Sequence, residues 1–406
     1  MDEPVNRGTR LAELRRARMA RSPAILRGGF RPFFAGGAAW AVTALVLWLL
    51  AFDGRLTLPI AADMLAWHRH EMLFGFVAAI IAGFLLTAIP NWTGRLPIAG
   101  GPLAALWGLW LAGRLAMLFS AVVGPLLTAI VDVSFFLVLG TLCAREVLAA
   151  KNRNLPAVGI LLLLGVADAV DHAAMNGLIP DAMAGVRAAI GLVMIMISLI
   201  GGRIIPSFTR NWMMKQGIKQ GLPGQPTRFD LATIGLTAAA MLAWILLPDA
   251  TASAVLLIAA ALLQAVRLSR WRGLRAIRDP LVLVLHVGYA WVPAGLLLLG
   301  LSIVDPGFPR SSAVHALTAG AMASMILAVS TRAILGHTGH DLRAGGATSA
   351  IYLLVTAGAL LRVIAPFGLL DYLTALRVAG IVWGAAFLLF LIVYGPILFR
   401  RRRGEG

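Results

Sequence analysis

The histidines are the residues of this sequence whose type best suits chemistry, because imidazole binds iron, copper and zinc and also transfers protons. Among the seven, His70 and His315 each stand five residues before a glycine, Gly75 and Gly320 respectively. Two histidines on facing helices are the usual ligands of a low-spin haem, and the small residues that follow each one would let a flat macrocycle approach. Small residues equally favour plain helix packing. The pair therefore indicates either a bis-histidine haem site or two hydrogen-bonded histidines.

Three further histidines are candidate metal ligands once a haem is assigned. His68 lies about 200° around a helix from His70, so the two would not share one ion. His172 follows Asp168 by four residues, on the same helix face, and this carboxylate would either orient the imidazole or simply pair with it. His68 and His172 are predicted copper ligands, and His286 is a candidate for a second metal.

Arg187 and Cys143 both bear on which cofactors the protein could hold. Arg187 is a candidate partner for haem propionates, since it adjoins Val186, which occupies the position of the missing third histidine. Cys143, the single cysteine, excludes an intramolecular disulfide and a cysteine-based metal cluster. The sequence has no Cys-X-X-Cys-His attachment motif, so any haem, predicted as haem b, is held non-covalently.

Composition indicates the elements that must position these side chains. The chain of 406 residues is 60% hydrophobic and only 13% charged, where a soluble protein carries about a quarter charged residues. Twelve apolar runs of spanning length predict an all-α polytopic protein whose solvent is the lipid bilayer. They lie at about 33–52, 66–90, 101–120, 123–146, 155–175, 180–206, 229–247, 251–268, 281–302, 311–335, 347–365 and 374–399.

The basic residues predict the orientation of these helices. The net charge of +17 comes from short clusters between the apolar runs, which marks cytoplasmic loops and argues against nucleic-acid binding. We predict a basic cytoplasmic arm over residues 1–31, a membrane domain over 32–399 and a basic cytoplasmic tail over 400–406. Both termini would then be cytoplasmic, with His68, His70, His172 and His315 at one depth near the periplasmic side.

A repeated pattern predicts the arrangement of the helices. A glycine precedes a threonine by 18 residues near the ends of the second, sixth and tenth runs: Gly75 and Thr93, Gly191 and Thr209, Gly320 and Thr338. Three repeats of four helices would resemble, in architecture, the catalytic subunit of haem–copper oxidases. The sequence lacks that subunit's His-His pair in the seventh helix and its His-X-His in the tenth. We therefore expect no proton-pumping reduction of oxygen.

Several motifs resemble those of the NnrS family, from about Arg27 to the end of the last apolar run. They are Arg27–Phe34, His68–Phe76, Ala82–Gly94, His315–Met322 and Thr331–Gly339. The resemblance implies a bacterial inner-membrane protein with haem and copper, linked to the response to nitric oxide. It supplies no reaction. We expect a protein that protects the cell from nitric oxide and nitrosative stress, by binding or turning over the gas at a metal site or by relieving damage to iron centres. Redox activity with nitric oxide or a quinol, and transport of copper, haem or a small anion, are the alternatives.

Overall fold

The structure, a computed structural model, describes residues 13, 17, 21–369 and 371–404. Within that part of the chain no strand forms, and twelve helices are long and apolar enough to cross a membrane. We number them α1 to α12: Phe30–Phe52, Met64–Thr93, Gly101–Leu118, Pro125–Ala149, Leu155–Met175, Ala184–Lys215, Arg228–Leu246, Thr251–Ser269, Pro280–Val304, Arg310–His337, Gly346–Phe367 and Tyr372–Phe399. The prediction of an all-α polytopic membrane protein is confirmed.

Helices suit this sequence because lipid offers the backbone no hydrogen-bond partners, so each spanning segment must satisfy its own. Local signals then set where helices begin and end. The Asp63 carboxylate accepts hydrogen bonds from the N–H groups of Leu65 and Ala66 and so caps the start of α2. Gly94, at φ 68°, ends the same helix in the left-handed conformation that glycine adopts without strain.

The helices α2 and α10 share an irregularity at matching positions. A π-helical segment covers Glu71–Val77 in α2 and Ala316–Met322 in α10, and in each case the preceding residue is the candidate histidine, His70 or His315. Such segments widen a helix locally and occur often at functional sites. Helix α6 is α-helical throughout, so the matching irregularity relates α2 to α10 and does not extend to α6.

Each π-helical segment has a carbonyl that accepts a hydrogen bond from a tryptophan. The indole N–H of Trp110 donates to the Gly75 carbonyl at 2.9 Å, and that of Trp383 donates to the Ala319 carbonyl at 3.2 Å. A wider turn disturbs the regular hydrogen-bond ladder, and a side-chain donor can satisfy a carbonyl that the ladder leaves exposed.

Two compact units divide the chain. The first contains Met1–Val186, Gly336–His340 and Leu391–Gly406, and the second contains Arg187–Leu335 and Asp341–Phe390. Most of the predicted arm over 1–31 lies outside the described residues, and α1 begins at Phe30, just before the predicted boundary of the membrane domain.

Arg31 joins the start of α1 to the end of α12 within the first unit. The side chain is buried, and its Nη1 donates to the carbonyls of Leu398 and Arg400 at 2.6 and 2.7 Å. The last carbonyls of a helix have no partner within it, so this guanidinium satisfies groups at the end of α12. Arg31, within the Arg27–Phe34 motif, therefore has a structural role in the first unit.

Candidate metal centre

Three helices of the first unit bring ionisable side chains into one buried cluster. Helix α2 supplies His70, α4 supplies Asp132, and α5 supplies Asp168 and His172; one nitrogen or oxygen from each lies within 4.8 Å of all the others. The exposed fraction of each residue is between 0 and 4%. Charged and polar groups are expensive at membrane depth, so a cluster of this kind indicates a functional site.

The distances within the cluster suit ligands that share one ion. Nε2 of His70 lies 2.8 Å from Oδ2 of Asp132 and 3.7 Å from Oδ1 of Asp168. Nε2 of His172 lies 3.3 Å and 3.9 Å from the same two oxygens. Ligand atoms at about 2.1 Å from a tetrahedral ion are about 3.4 Å from one another, in the middle of the observed range.

Asp168 provides an independent sign that a ligand belongs here. Its side chain is fully buried, yet neither carboxylate oxygen has a hydrogen-bond partner. Buried polar atoms are nearly always paired, and a buried carboxylate without partners is especially costly. A cation among the four side chains would satisfy this carboxylate.

The charge balance supports the same interpretation. Glu71 and Asp171, also buried, adjoin His70 in the sequence and in space respectively. With Asp132 and Asp168 they make four buried carboxyl groups, of which Arg114 forms ion pairs with two, Glu71 and Asp132. Protons or a cation must offset the excess of negative charge, because solvent screens buried charges weakly. A divalent or higher metal ion would do so while using the histidine nitrogens.

Arg114, from α3, is the permanent cation of the cluster. It forms ion pairs with Glu71, at 2.7 Å, and with Oδ1 of Asp132. The second oxygen of Asp132 is left to face the two histidines. Trp40, from α1, also donates a hydrogen bond to Glu71.

Gly75 makes room for this arrangement. A Cβ at this position would lie 2.7 Å from Nη1 of Arg114 and 2.9 Å from Nε1 of Trp40. Any larger residue would therefore push apart the groups that hold Glu71. Gly75 belongs to the repeat pattern in the sequence, and the close packing around it explains why a glycine stands there.

Of the predicted metal ligands, the structure brings His70 and His172 together, with ring centroids 4.8 Å apart. His68 points elsewhere and stacks on Trp48 at 4.3 Å. This difference follows from helix geometry, because residues two apart face nearly opposite directions.

The remaining predicted residues belong to the second unit and have separate surroundings. Nδ1 of His315 contacts the Ser311 carbonyl at 2.7 Å, which makes Nδ1 the protonated nitrogen and Nε2 the potential ligand. His286 is buried, with Nε2 at 2.8 Å from the Thr209 hydroxyl. Arg187 is buried and donates to the Ile245 carbonyl at 3.3 Å.

Asp132 and Arg114 were not among the predicted site residues, and Asp168 was predicted only to orient His172 or to pair with it. The signal was available, since each is an ionisable residue inside an apolar run, and such residues pair with one another. Periodicity along one helix cannot show which faces of α2, α4 and α5 meet, so the contacts across helices needed the structure.

The second unit contains a buried polar network of a different kind. Arg267 donates to Asp230 at 3.0 Å, to the Ser198 carbonyl at 2.9 Å and to the Tyr289 hydroxyl at 3.1 Å, and Tyr289 donates to Gln264 at 2.7 Å. Each of these side chains is hydrogen-bonded within the network. Such a network fixes the packing of its helices and leaves no carboxylate needing a cation.

Fold and cluster together define a multi-pass helical membrane protein with a buried group of histidines and aspartates suited to a metal. Comparison with protein families gives the particular family: the family described as NnrS protein matches residues 24–402, nearly the whole chain. The chain belongs to the NnrS family. None of the curated proteins compared matches it.

Proposed function

We propose that this NnrS-family protein is an inner-membrane metalloprotein of the nitric oxide response, with a copper ion held by His70, Asp132, Asp168 and His172. The observation that carries the proposal is the Asp168 carboxylate, which is fully buried and has no hydrogen bond to the described residues. It lies among nitrogen and oxygen atoms that are placed as metal ligands would be. Family membership supports copper and the link to nitric oxide, and two imidazoles with two carboxylates are ligands that Cu(II) accepts.

The protein's own groups would hold the ion and keep water away. His70 and His172 supply neutral nitrogens, while Asp132 and Asp168 offset the charge of the metal. Arg114 keeps Asp132 oriented through its other oxygen. When bound, copper supplies a redox-active centre at which a small diatomic ligand can coordinate. The near-complete burial of the four side chains restricts the site to a small ligand that dissolves in the bilayer.

The haem, haem b by our sequence prediction, is proposed to be held by His315. Its Nδ1–H is positioned to donate to a backbone carbonyl, the usual partner of a histidine that binds iron through Nε2. The predicted second ligand was His70, whose Nε2 and Nδ1 contact Asp132 and Asp171. Those carboxylates favour His70 as a ligand of the ion. Arg187 remains the proposed propionate partner.

Metal analysis of the purified full-length protein tests the copper proposal, with Asp168→Asn as the decisive variant. The amide keeps the size of the side chain and removes the charge, so we expect copper in the wild-type protein and little in the variant. Asp230→Asn, in the network around Arg267, is the control for loss of a buried carboxylate elsewhere. It should be the less stable of the two variants, because it removes the ion-pair partner of Arg267, but its folded fraction should keep its copper. Equal copper in the wild-type protein and Asp168→Asn would refute the site.

Copper transport is the second candidate function, because the cluster lies among three membrane-spanning helices, where a transported ion would pass. A transported ion must leave, whereas a resident cofactor is retained. Copper that survives extensive washing with a chelator supports a resident centre, and copper that exchanges within minutes supports transport. Consumption of nitric oxide by the purified protein with a reductant, or with a quinol as donor, would add an enzymatic activity to the resident centre.

A further inference from the structure

Asp171 is a buried carboxylate that is not one of the four candidate ligands but contacts one of them, His70. Its Oδ2 lies 2.9 Å from Nδ1 of His70, and both side chains are buried. The other nitrogen of the ring, Nε2, faces Asp132 and Asp168. The two nitrogens lie on different edges of the imidazole, so Asp171 contacts the edge away from the proposed ion.

We infer that Asp171 is a positioning residue that orients His70 and fixes its proton on Nδ1, so that Nε2 is the metal ligand. The inference rests on the proposed metal site. A carboxylate that accepts the N–H of a ligating histidine holds the ring in place and makes the other nitrogen a stronger donor to the metal. Neither sequence motif nor family membership gives Asp171 this role.

The helix that carries Asp171 makes the arrangement specific. Asp171 and His172 follow Asp168 by three and four residues on α5, so each of them is a neighbour of Asp168 on the helix surface. One turn therefore supplies two proposed ligands, Asp168 and His172, and the group that orients a ligand from another helix. His172 has no equivalent carboxylate on its second nitrogen among the described contacts, so His70 is the histidine whose direction is more firmly set.

Gly185 explains how Asp171 is held. A Cβ at Gly185 would lie 2.5 Å from the backbone nitrogen of Asp171 and 2.6 Å from its Cβ and from the Ala167 carbonyl oxygen. The start of α6 thus rests directly on the turn of α5 that carries Asp171. Those approaches are largely to backbone atoms, so they fix the backbone from which the Asp171 side chain reaches His70.

The test compares Asp171→Asn with Asp168→Asn in the full-length protein, in detergent, titrated with Cu(II) after removal of bound metal. The amide of Asp171→Asn keeps an acceptor oxygen for His70, so the metal-free variant should melt within a few degrees of the wild-type protein. We expect it to bind Cu(II) in the same stoichiometry, with an affinity about 10- to 100-fold lower and an altered electron paramagnetic resonance spectrum. Asp171→Glu, which restores the charge, should recover part of the affinity.

The outcomes separate this inference from the proposal on which it rests. If the wild-type protein binds no Cu(II), or Asp168→Asn binds as the wild type does, the metal site itself is refuted. If the wild-type protein binds and Asp171→Asn has the wild-type affinity and spectrum, the positioning role of Asp171 is refuted. If Asp171→Asn melts far lower and its remaining folded fraction binds with the wild-type spectrum, Asp171 is only structural, which also refutes the inference.

Discussion

Nε2 of His70 and Oδ2 of Asp132 meet at 2.8 Å, although the two residues are 62 positions apart and belong to different membrane-spanning helices. The contact is buried, and Arg114 forms an ion pair with the other oxygen of the same aspartate. His172, from α5, contacts Asp132 as well, at 3.3 Å, so four helices, α2 to α5, are joined through one carboxylate. Because Asp132 faces a permanent cation on one side and two imidazoles on the other, it is the central residue of the cluster.

Arg114→Gln should strongly destabilise the protein, because it would leave Glu71 and Asp132 buried without their cation. Removing one partner from a buried ion pair costs about 3–5 kcal/mol. Thermal or denaturant unfolding of the detergent-solubilised variant measures the loss. Arg310→Gln is the matched control, since it breaks an exposed pair with Asp249 and should change stability by no more than about 1 kcal/mol. Equal effects of the two changes would show that the buried pair is not needed.

His172→Ala should lose most of the copper, and His68→Ala should keep it. The ring of His172 lies in the cluster, whereas that of His68 stacks on Trp48. Copper per chain in protein purified from membranes is the measurement, and expression level together with resistance to protease shows whether each variant folds. Loss of copper from His68→Ala alone would place the metal elsewhere. If both variants keep full copper, neither histidine is a ligand, and His286, which is buried, and His337, at the end of α10, become the next candidates.

His315→Ala should lose the haem absorption, whereas His340→Ala should leave it unchanged. His70→Ala should lower copper and retain the haem, because we assign His70 to the ion. Absorption spectra of the three purified variants provide the measurement. If His70→Ala and His315→Ala both convert a narrow low-spin spectrum to a high-spin one, the two histidines are the axial pair that the sequence pattern suggested, and the ion must bind without His70.

A reporter that is active only in the periplasm should give a signal when fused after Asn176 and none when fused after Arg272. The prediction follows from the arginines and lysines that cluster in alternate loops, with both termini cytoplasmic. Asn176 follows the end of α5, close in sequence to His172, so the fusion also tests the depth of the cluster. The reverse pattern would place the metal site near the cytoplasmic face.

Hydropathy was enough to predict the helices of this protein, because spanning length and apolar composition are properties of one segment at a time. The repeat pattern also anticipated that α2 and α10 correspond, and their matching π-helical segments support that relationship. The site was less accessible. His70 and His172 could be singled out by residue type, but Asp132 and Arg114 joined them only once the rotation of each helix about its axis was known.

The surroundings of His68 illustrate the same limit. Its distance from His70 along the helix showed that the two could not share an ion, yet nothing in the sequence indicated which of them faced α5. The structure places His70 toward Asp132 and His68 toward Trp48. Asp171 was visible as a neighbour of His172, whereas its contact is with His70. Contacts between helices decide such roles, and periodicity within one helix does not.

The central claim is that a metal ion binds among His70, Asp132, Asp168 and His172. Metal content per chain, measured by mass spectrometry on wild-type protein and on Asp168→Asn purified side by side, tests it most directly. We predict close to one copper ion per wild-type chain and almost none in the variant, with both proteins folded to the same degree. A folded wild-type protein without a transition metal, or a variant that keeps the wild-type amount, would contradict the claim.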